Sequence, residues 1–183
     1  MKFTPRMLAL SITAALSMGA IHSAQAQEQV VKIGHTGPLS GANAFAGKDN
    51  ENGIRMAVDE LNTKKLVVGG KTLKFELVSE DDQCDPKTGM AVAQKLMDAG
   101  IKYVMGPYCS GVAIPASKVY DSGGAILSTV GSNPKVTMGG YKNVFRIIAG
   151  DNLIGSSMAQ YAFNTMKAKT AGVIDDRTAF GQG

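Results

Sequence analysis

The sequence predicts an α/β fold in which a parallel sheet carries helices on both faces. Short apolar, β-branched runs alternate along the chain with stretches whose apolar residues recur at helical spacing. This alternation is typical of β-α-β crossovers, which are right-handed and place helices against the sheet. The composition agrees with a globular domain, since 44% of the 183 residues are hydrophobic and 19% are charged.

The first half of the chain contains two strand and helix pairs. Residues 30–33 form an apolar strand, and residues 54–61 show helical spacing after a loop rich in glycine. Residues 73–77 alternate apolar with charged side chains and predict the second strand. Asp85, followed by a proline, predicts the N-cap of a helix that stops at Gly100.

The second half continues the same pattern. Helices are predicted from Ser110 to residue 120, and from an Asp151 N-cap to residue 166. Residues 129–134 contain Gly, Ser, Asn and Pro and predict a loop. The remaining strands are predicted at residues 101–105, 125–127, 144–148 and 171–174.

Polar side chains gather where the predicted strands end. In open parallel sheets ligands bind outside the carboxyl ends of the strands, so this edge is the expected place for a small-molecule cleft. The polar residues there are His35, Thr36, Asp81, Asp82, Ser110, residues 128–132, Asp175 and Asp176.

Residues 1–26 have the pattern of a signal peptide. Lys2 and Arg6 precede an apolar stretch over residues 7–20, and Ala24-Gln25-Ala26 is a small-x-small cleavage site. A membrane anchor is the alternative, but the apolar stretch is shorter than the ~20 residues that span a bilayer. We therefore expect export to the periplasm.

The net charge of +4 and the isoelectric point of about 9.0 do not indicate a nucleic-acid partner. Two of the positive charges belong to Lys2 and Arg6 in the predicted signal peptide, and the other basic residues are interleaved with acids. Aromatic residues make up only 6% of the chain, and tryptophan is absent. We expect no nucleic-acid binding.

The chain has two cysteines, Cys84 and Cys109. In an oxidising compartment they are expected to pair, which would stabilise the fold by about 3.5 kcal/mol in the chain-entropy model. The alternative is an exported hydrolase in which Cys109 is a free nucleophile and His35 its base.

No motif for a cofactor, a metal or catalysis is present. The glycine-rich loop over residues 34–41 has neither of the nucleotide-binding spacings and lacks the phosphate-binding lysine. His35 is the only histidine after the predicted cleavage site, so neither a His-based zinc site nor a Ser-His-Asp triad is supported. Asp81 and Asp82 favour a solvated strand end or a helix-entry signal over a general acid/base pair. We predict a protein that is not an enzyme.

Two serines are candidates for ligand contacts. Ser110 follows a strand and opens a helix, where its hydroxyl and the free amides could hold a carboxylate. Position by itself favours a plain N-cap serine for Ser110, and the loop containing Ser132 could be a plain turn. Position in the sequence leaves both alternatives open.

Four segments, taken in order, resemble the leucine/isoleucine/valine-binding proteins of bacterial ABC transporters. They read Gly-Pro-Leu-Ser-Gly at residues 37–41, Asp-Asp-Gln-Cys-Asp-Pro at residues 81–86, Gly-Pro-Tyr-Cys-Ser at residues 106–110 and Phe-Gly-Gln-Gly at residues 180–183. The resemblance covers essentially all of the chain after residue 26.

The resemblance implies a periplasmic binding protein type I-like fold with two lobes that close around one amino acid by a hinge. It assigns residues 27–149 to an incomplete first lobe and residues 150–183 to the start of a second. It also implies a Cys84–Cys109 disulfide, no cofactor, a monomeric state, and the membrane permease of an ABC importer as partner. A ligand-sensing receptor domain for an amino acid or small amide is the alternative function.

The resemblance also implies a ligand site. Ser110, and Val130 with Ser132, correspond to the groups that hold the ligand's carboxylate and ammonium in this family. Phe180 corresponds to an aromatic residue of the second lobe and replaces the usual tyrosine. Members of the family are considerably longer, so we expect an N-terminal fragment whose acidic ligand-binding residue lies beyond Gly183, and a half-site of this kind should bind weakly.

Overall fold

The computed structural model describes residues 27–183, so the predicted signal peptide at residues 1–26 lies outside the described part of the chain. The six strands form one sheet in the order β2-β3-β1-β4-β5-β6. The strands are β1 Glu28–Gly37, β2 Val67–Val68, β3 Lys71–Asp81, β4 Tyr103–Met105, β5 Ile126–Thr129 and β6 Val144–Arg146. The helices are α1 Ala44–Thr63, α2 Pro86–Asp98, α3 Ser110–Ser122, α4 Lys135–Met138 and α5 Asp151–Asn164.

Strand pairing confirms the predicted α/β class. β1 lies between β3 and β4, and all pairs from β3 to β6 are parallel. The chain moves from β1 to β3 in one direction along the sheet and from β3 to β4 in the other. Because crossovers of this kind are right-handed, this reversal of direction places α1 on one face of the sheet and α2 on the opposite face.

The short strand β2 is a feature that the sequence analysis missed. It pairs antiparallel with β3 through a hairpin whose two turn residues, Gly69 and Gly70, have φ values of 58° and 77°. A type I′ turn needs positive φ at both central positions, which glycine adopts without strain. The Gly-Gly pair between two apolar residues and a strand was the signal for this hairpin.

The core lies between the sheet and the α2-α3 pair. The helices approach closely at Gly89, because a side chain there would overlap the Val112 side chain. Packing of this kind fixes the position of the start of α3 relative to the strand ends. The largest buried apolar residues of this layer are Tyr120, Leu96, Ile101, Leu127, Val104, Val112 and Val136.

The structure confirms one of the two predicted aspartate N-caps and contradicts the other. Asp85 caps α2 as predicted, and its side chain accepts a 2.7 Å hydrogen bond from the Thr88 amide. The prediction that Asp151 caps α5 is wrong, because the extended residue Gly150 occupies the N-cap and Asp151 is the first helical residue. The backbone amide of Asp151 instead donates to the carbonyl of Ser132 at 3.0 Å, which holds the start of α5 against the loop after β5.

The strand predicted at residues 171–174 is also wrong. This segment forms no strand, and Val173 and Ile174 are 93% and 98% exposed. A strand needs a neighbour for its backbone hydrogen bonds, and none of the strands within residues 27–183 pairs with this segment. None of the helices within these residues has the length and apolar character needed to cross a membrane.

Candidate functional site

Ser110 begins α3 but does not cap it. Cys109 occupies the N-cap position, and the Ser110 hydroxyl oxygen accepts a 3.1 Å hydrogen bond from the backbone amide of Asn133. The side chain is buried together with this bond. The N-cap alternative is therefore wrong, and Ser110 joins the start of α3 to the loop that follows β5.

The loop after β5, residues 129–134, is held by its own polar groups. The Thr129 hydroxyl donates to the Pro107 carbonyl at 2.6 Å and accepts from the Gly131 amide at 3.0 Å. A methyl group at position 131 would lie 3.0 Å from the Ala113 Cβ and 3.5 Å from the Ser110 Cα. Glycine therefore lets this loop pass directly over the start of α3.

Val130 and Ser132 flank that glycine and so lie beside Ser110. Ser132 is buried, and its carbonyl accepts the Asp151 amide described above. The structure thus brings three of the four predicted ligand-binding residues to one place at the carboxyl edge of the sheet. The predicted contacts of Ser110, Val130 and Ser132 with a ligand remain predictions.

The disulfide between Cys84 and Cys109 is formed, with a Cα–Cα distance of 5.5 Å. This distance is typical of protein disulfides. It ties the loop after β3 to the residue immediately before Ser110. Both cysteines of the chain are used, so the alternative of a hydrolase with Cys109 as its nucleophile is wrong.

The side chain of Asp82 holds the backbone of Cys84, one of the two disulfide residues. Its buried carboxylate accepts hydrogen bonds from the Thr36 hydroxyl at 2.8 Å and from the Cys84 amide at 2.9 Å. Burial raises the pKa of Asp82, although these two bonds favour the charged form. Its neighbour Asp81 accepts from the amides of Leu39 and Gln83. Both carboxylates organise loops at the end of β3, but the predicted solvated strand end is wrong for Asp82, which is buried because it holds the Thr36 hydroxyl and the Cys84 amide.

His35 is a buried structural histidine. Its Nδ1–H donates to the Met105 carbonyl at 3.0 Å, which links β1 to β4. Burial is the main cause that lowers the pKa of His35, and the hydrogen bond to Met105 opposes it. The buried, bonded ring is not available as a base for the disulfide-bonded Cys109.

Phe180 lies next to a residue that contacts the site. The Asn133 side-chain amide donates to the carbonyl of Ala179, which holds the last described turn against the loop after β5. The Phe180 ring itself is 57% exposed. Asn133 therefore contacts both Ser110 and the Phe180 turn, and the sequence analysis missed it. Its signal was an Asn before Pro134 at a strand end, which reads equally well as a plain turn.

The rest of the described structure offers no better candidate. Within residues 27–183, no three histidine, cysteine or acidic side chains are placed to hold a metal ion. A shallow apolar groove lined by Val30, Leu73 and Tyr103 lies at the amino ends of the strands, away from the polar loops. The position of ligand sites in parallel sheets favours the carboxyl edge instead.

Comparison with known families decides the classification. A family model described as "Periplasmic binding protein" matches residues 30–183. The chain belongs to the periplasmic binding protein family. This membership confirms the predicted family resemblance and the predicted fold, of which the sheet from β1 to β6 and its helices form one α/β lobe.

Relatives of this periplasmic binding protein carry names that mention amino acids. An "Amino acid binding protein" of Pseudomonas aeruginosa is 38% identical over 99% of the chain and 47% of the relative. The "Leucine-specific-binding protein" of Salmonella typhimurium is 35% identical over 84% of the chain and 41% of the relative. The chain spans less than half the length of these relatives.

Solved structures of similar fold are also binding proteins. The substrate-binding protein of Streptococcus pneumoniae in complex with isoleucine is 25% identical with a TM-score of 0.69, over 77% of the chain and 40% of that protein. A substrate-binding protein of Desulfitobacterium hafniense in complex with Leu is 34% identical with a TM-score of 0.62, over 74% and 39%. These neighbours bind ligands and carry no enzymatic name.

Proposed function

We propose that this periplasmic binding protein captures a branched-chain or related amino acid for an ABC importer. The observation that carries the proposal is the Ser110–Asn133 hydrogen bond, which holds the start of α3 and the loop after β5 together at the carboxyl edge of the sheet. The printed names of the relatives, which mention leucine and amino acids, support the ligand class.

The start of α3 is suited to the ligand's carboxylate. The first intrahelical bonds run from the amides of Val112 and Ala113 to the Cys109 carbonyl, so the amides of Ser110 and Gly111 precede them. Free amides and the positive end of a 13-residue helix favour an anion. Ser110 and the backbone of Val130 and Ser132 supply the remaining polar groups in this proposal.

The proposal includes closure and selectivity. Residues 27–149 form the first lobe and residues 150–183 begin the second, so that Phe180 approaches the ligand from the second lobe when the hinge closes. The Phe180 ring supplies an apolar wall without the hydroxyl of a tyrosine. The amino acid is bound and released unchanged, and the permease of the importer receives it from a monomeric binding protein.

The proposal also includes export through the signal peptide at residues 1–26. Native mass spectrometry of the protein recovered from the periplasm tests this together with ligand capture. The expected mass begins at Gln27, with the disulfide intact and an adduct of amino-acid size. A mass that still includes residues 1–26 contradicts export with cleavage at Ala26.

Calorimetry and thermal melting with a panel of amino acids test the ligand class. Aliphatic L-amino acids are expected to release or absorb heat and to raise the melting temperature, and the Ser110→Ala variant is expected to lose both responses. The control variant is Ser117→Ala, because Ser117 is a buried serine of the same helix that donates only to the Ala113 carbonyl. The absence of any response to every amino acid and small amide would sink the proposal.

A further inference from the structure

We infer that the Cys84–Cys109 disulfide is a redox-sensitive switch of ligand affinity. The inference rests on the proposed function and concerns how its site is regulated. Cys109 is the residue immediately before Ser110, and both cysteines are partly exposed, so a dithiol reductant in the solvent can reach the bond. We expect the oxidised chain to bind the amino acid more tightly than the reduced chain.

The disulfide joins the starts of two helices. Cys84 precedes Asp85, the N-cap of α2, and Cys109 is the N-cap of α3. A Cβ on Gly111 would lie 3.8 Å from the Cγ of Pro86, so the first turns of the two helices lie side by side. The bond therefore fixes the start of α3 relative to the start of α2.

The start of α3 is held by the disulfide and by Ser110. The Cys109 side chain makes no capping hydrogen bond, and its carbonyl accepts the first intrahelical bonds from the amides of Val112 and Ala113 at 3.0 and 2.9 Å. The Ser110 hydroxyl accepts from the amide of Asn133 at 3.1 Å. When the disulfide opens, the covalent link to the loop after β3 is lost and the link to the loop after β5 remains.

The turn on the other side of the disulfide is strained. Gln83 and Cys84 have φ values of 54° and 59°, in the left-handed region that non-glycine residues rarely adopt. The carboxylates of Asp81 and Asp82 accept the amides of these two residues, each at 2.9 Å. Because two left-handed residues in succession are unfavourable, we expect the turn to move away from the start of α3 when the disulfide opens.

Reduction of the bond is a two-electron exchange. One thiolate of the dithiol attacks a sulfur of the protein disulfide and forms a mixed disulfide, and the second thiol then displaces the protein sulfur. The products are two protein thiols, at Cys84 and Cys109, and the cyclic disulfide of the reductant. The reductant supplies both electrons and both protons.

Once the disulfide is open, the first turn of α3 should hold the ligand's carboxylate less well. In the proposed function this carboxylate contacts the Ser110 hydroxyl and the free amides at the helix start. Such groups bind an anion tightly when they are fixed in position, because binding then costs less ordering. Since coupling between two sites is reciprocal, the bound amino acid should in turn oppose reduction of the disulfide.

Calorimetric titration with L-leucine, before and after reduction by dithiothreitol, tests the inference. We expect reduction to weaken binding by about fivefold or more, a change within the usual range of coupling between two sites. The double variant Cys84→Ser, Cys109→Ser is the matched control. It should bind leucine as weakly as the reduced chain and should not respond to dithiothreitol.

Amide hydrogen exchange without ligand shows whether the release is local. Reduction should accelerate exchange at Val112 and Ala113, whose amides donate to the Cys109 carbonyl, and should leave exchange at Phe75 unchanged. The Phe75 amide is a suitable reference because it lies in the middle of β3 and donates to the Asn62 side chain at 2.8 Å. Equal acceleration at Phe75 would mean general unfolding and would overturn the inference.

Equal leucine affinities of the oxidised and the reduced chain overturn the inference and leave the proposed function standing. A chain that binds no amino acid in either state overturns both. If the double variant fails to fold, the comparison of the oxidised and the reduced unchanged chain decides by itself.

Discussion

The hydroxyl of Ser110 accepts a hydrogen bond from the backbone amide of Asn133 in the buried junction between α3 and the loop after β5. The two residues are 23 positions apart in the chain, so the bond joins two crossovers of the sheet. It gives Ser110 a structural partner in addition to the proposed ligand contact. Removing the hydroxyl is therefore expected to have two effects. It should lower the stability of the fold and, in the proposed function, the affinity for the ligand, and the two effects can be measured separately.

Ser110→Ala should destabilise the protein by about 1–3 kcal/mol, because it leaves the Asn133 amide buried without an acceptor. Ser117→Ala should cost less than about 1 kcal/mol, since the Ser117 hydroxyl only adds a second bond to the Ala113 carbonyl within the helix. Urea unfolding of the two variants measures both values. Equal losses of stability would show that the Asn133 amide does not depend on Ser110.

Replacing both Cys84 and Cys109 by serine should lower the free energy of unfolding by about 3.5 kcal/mol, because the unfolded chain regains the freedom of the closed loop. The double variant avoids a single free thiol. Urea unfolding with and without reductant measures the effect, and the double variant should not respond to reductant. Thiols that titrate in the unreduced native protein would contradict the disulfide.

Acid should weaken the fold through His35. Burial lowers the pKa of His35 below its ordinary value of 6.5, so the unfolded chain binds more protons than the folded chain once the pH falls below that value. The stabilising contribution is thus complete above pH 6.5 and is lost as the pH falls toward the folded pKa. His35→Gln keeps a donor for the Met105 carbonyl and does not titrate.

Thermal melting of the unchanged chain and His35→Gln at pH 7.5 and pH 5.5 measures this effect. The melting temperature of the unchanged chain should fall more on acidification than that of the variant. Parallel decreases in the two proteins would assign the acid sensitivity to other groups.

Asp82 should act in the opposite direction. Burial raises its pKa above the ordinary value of 3.8, so the folded chain holds this proton more tightly than the unfolded chain. Its contribution to stability therefore increases as the pH falls through the folded pKa toward 3.8. Asp82→Asn keeps an acceptor for the Cys84 amide and removes the charge.

The difference in unfolding free energy between Asp82→Asn and the unchanged chain should favour the variant at pH 7 and shrink toward pH 4. Asp82→Leu is the control that removes the acceptor as well, and it should destabilise by about 1–3 kcal/mol at pH 7. A difference that is constant with pH would contradict the raised pKa.

Two glycines of α1 should respond oppositely to alanine. At Gly47 a methyl group would overlap the Pro38 carbonyl, so Gly47→Ala should destabilise by about 1–3 kcal/mol through displacement of the loop after β1. At Gly53 nothing lies within contact distance, and Gly53→Ala should stabilise by up to about 1 kcal/mol through helix propensity. Chemical unfolding measures both, and a stable Gly47→Ala would disprove the close approach.

The sequence predicted the alternation of strands and helices, the Asp85 cap and the cysteine pair, because each depends on residues close in sequence or on the only possible partner. Hydrophobic periodicity and capping are local properties, and they act within a few residues. Ser110, Val130 and Ser132 were placed at the correct edge of the sheet for the same reason, since each follows a predicted strand.

Only the tertiary structure decided what these groups contact. The partner of Ser110 is Asn133, because β4 and β5 are neighbours in the sheet and their following loops meet. The apolar run at residues 171–174 has strand composition but pairs with no strand within residues 27–183, and it is irregular. Composition gives a segment its preference, whereas hydrogen bonds between distant segments require a partner that only the packing of the whole chain supplies.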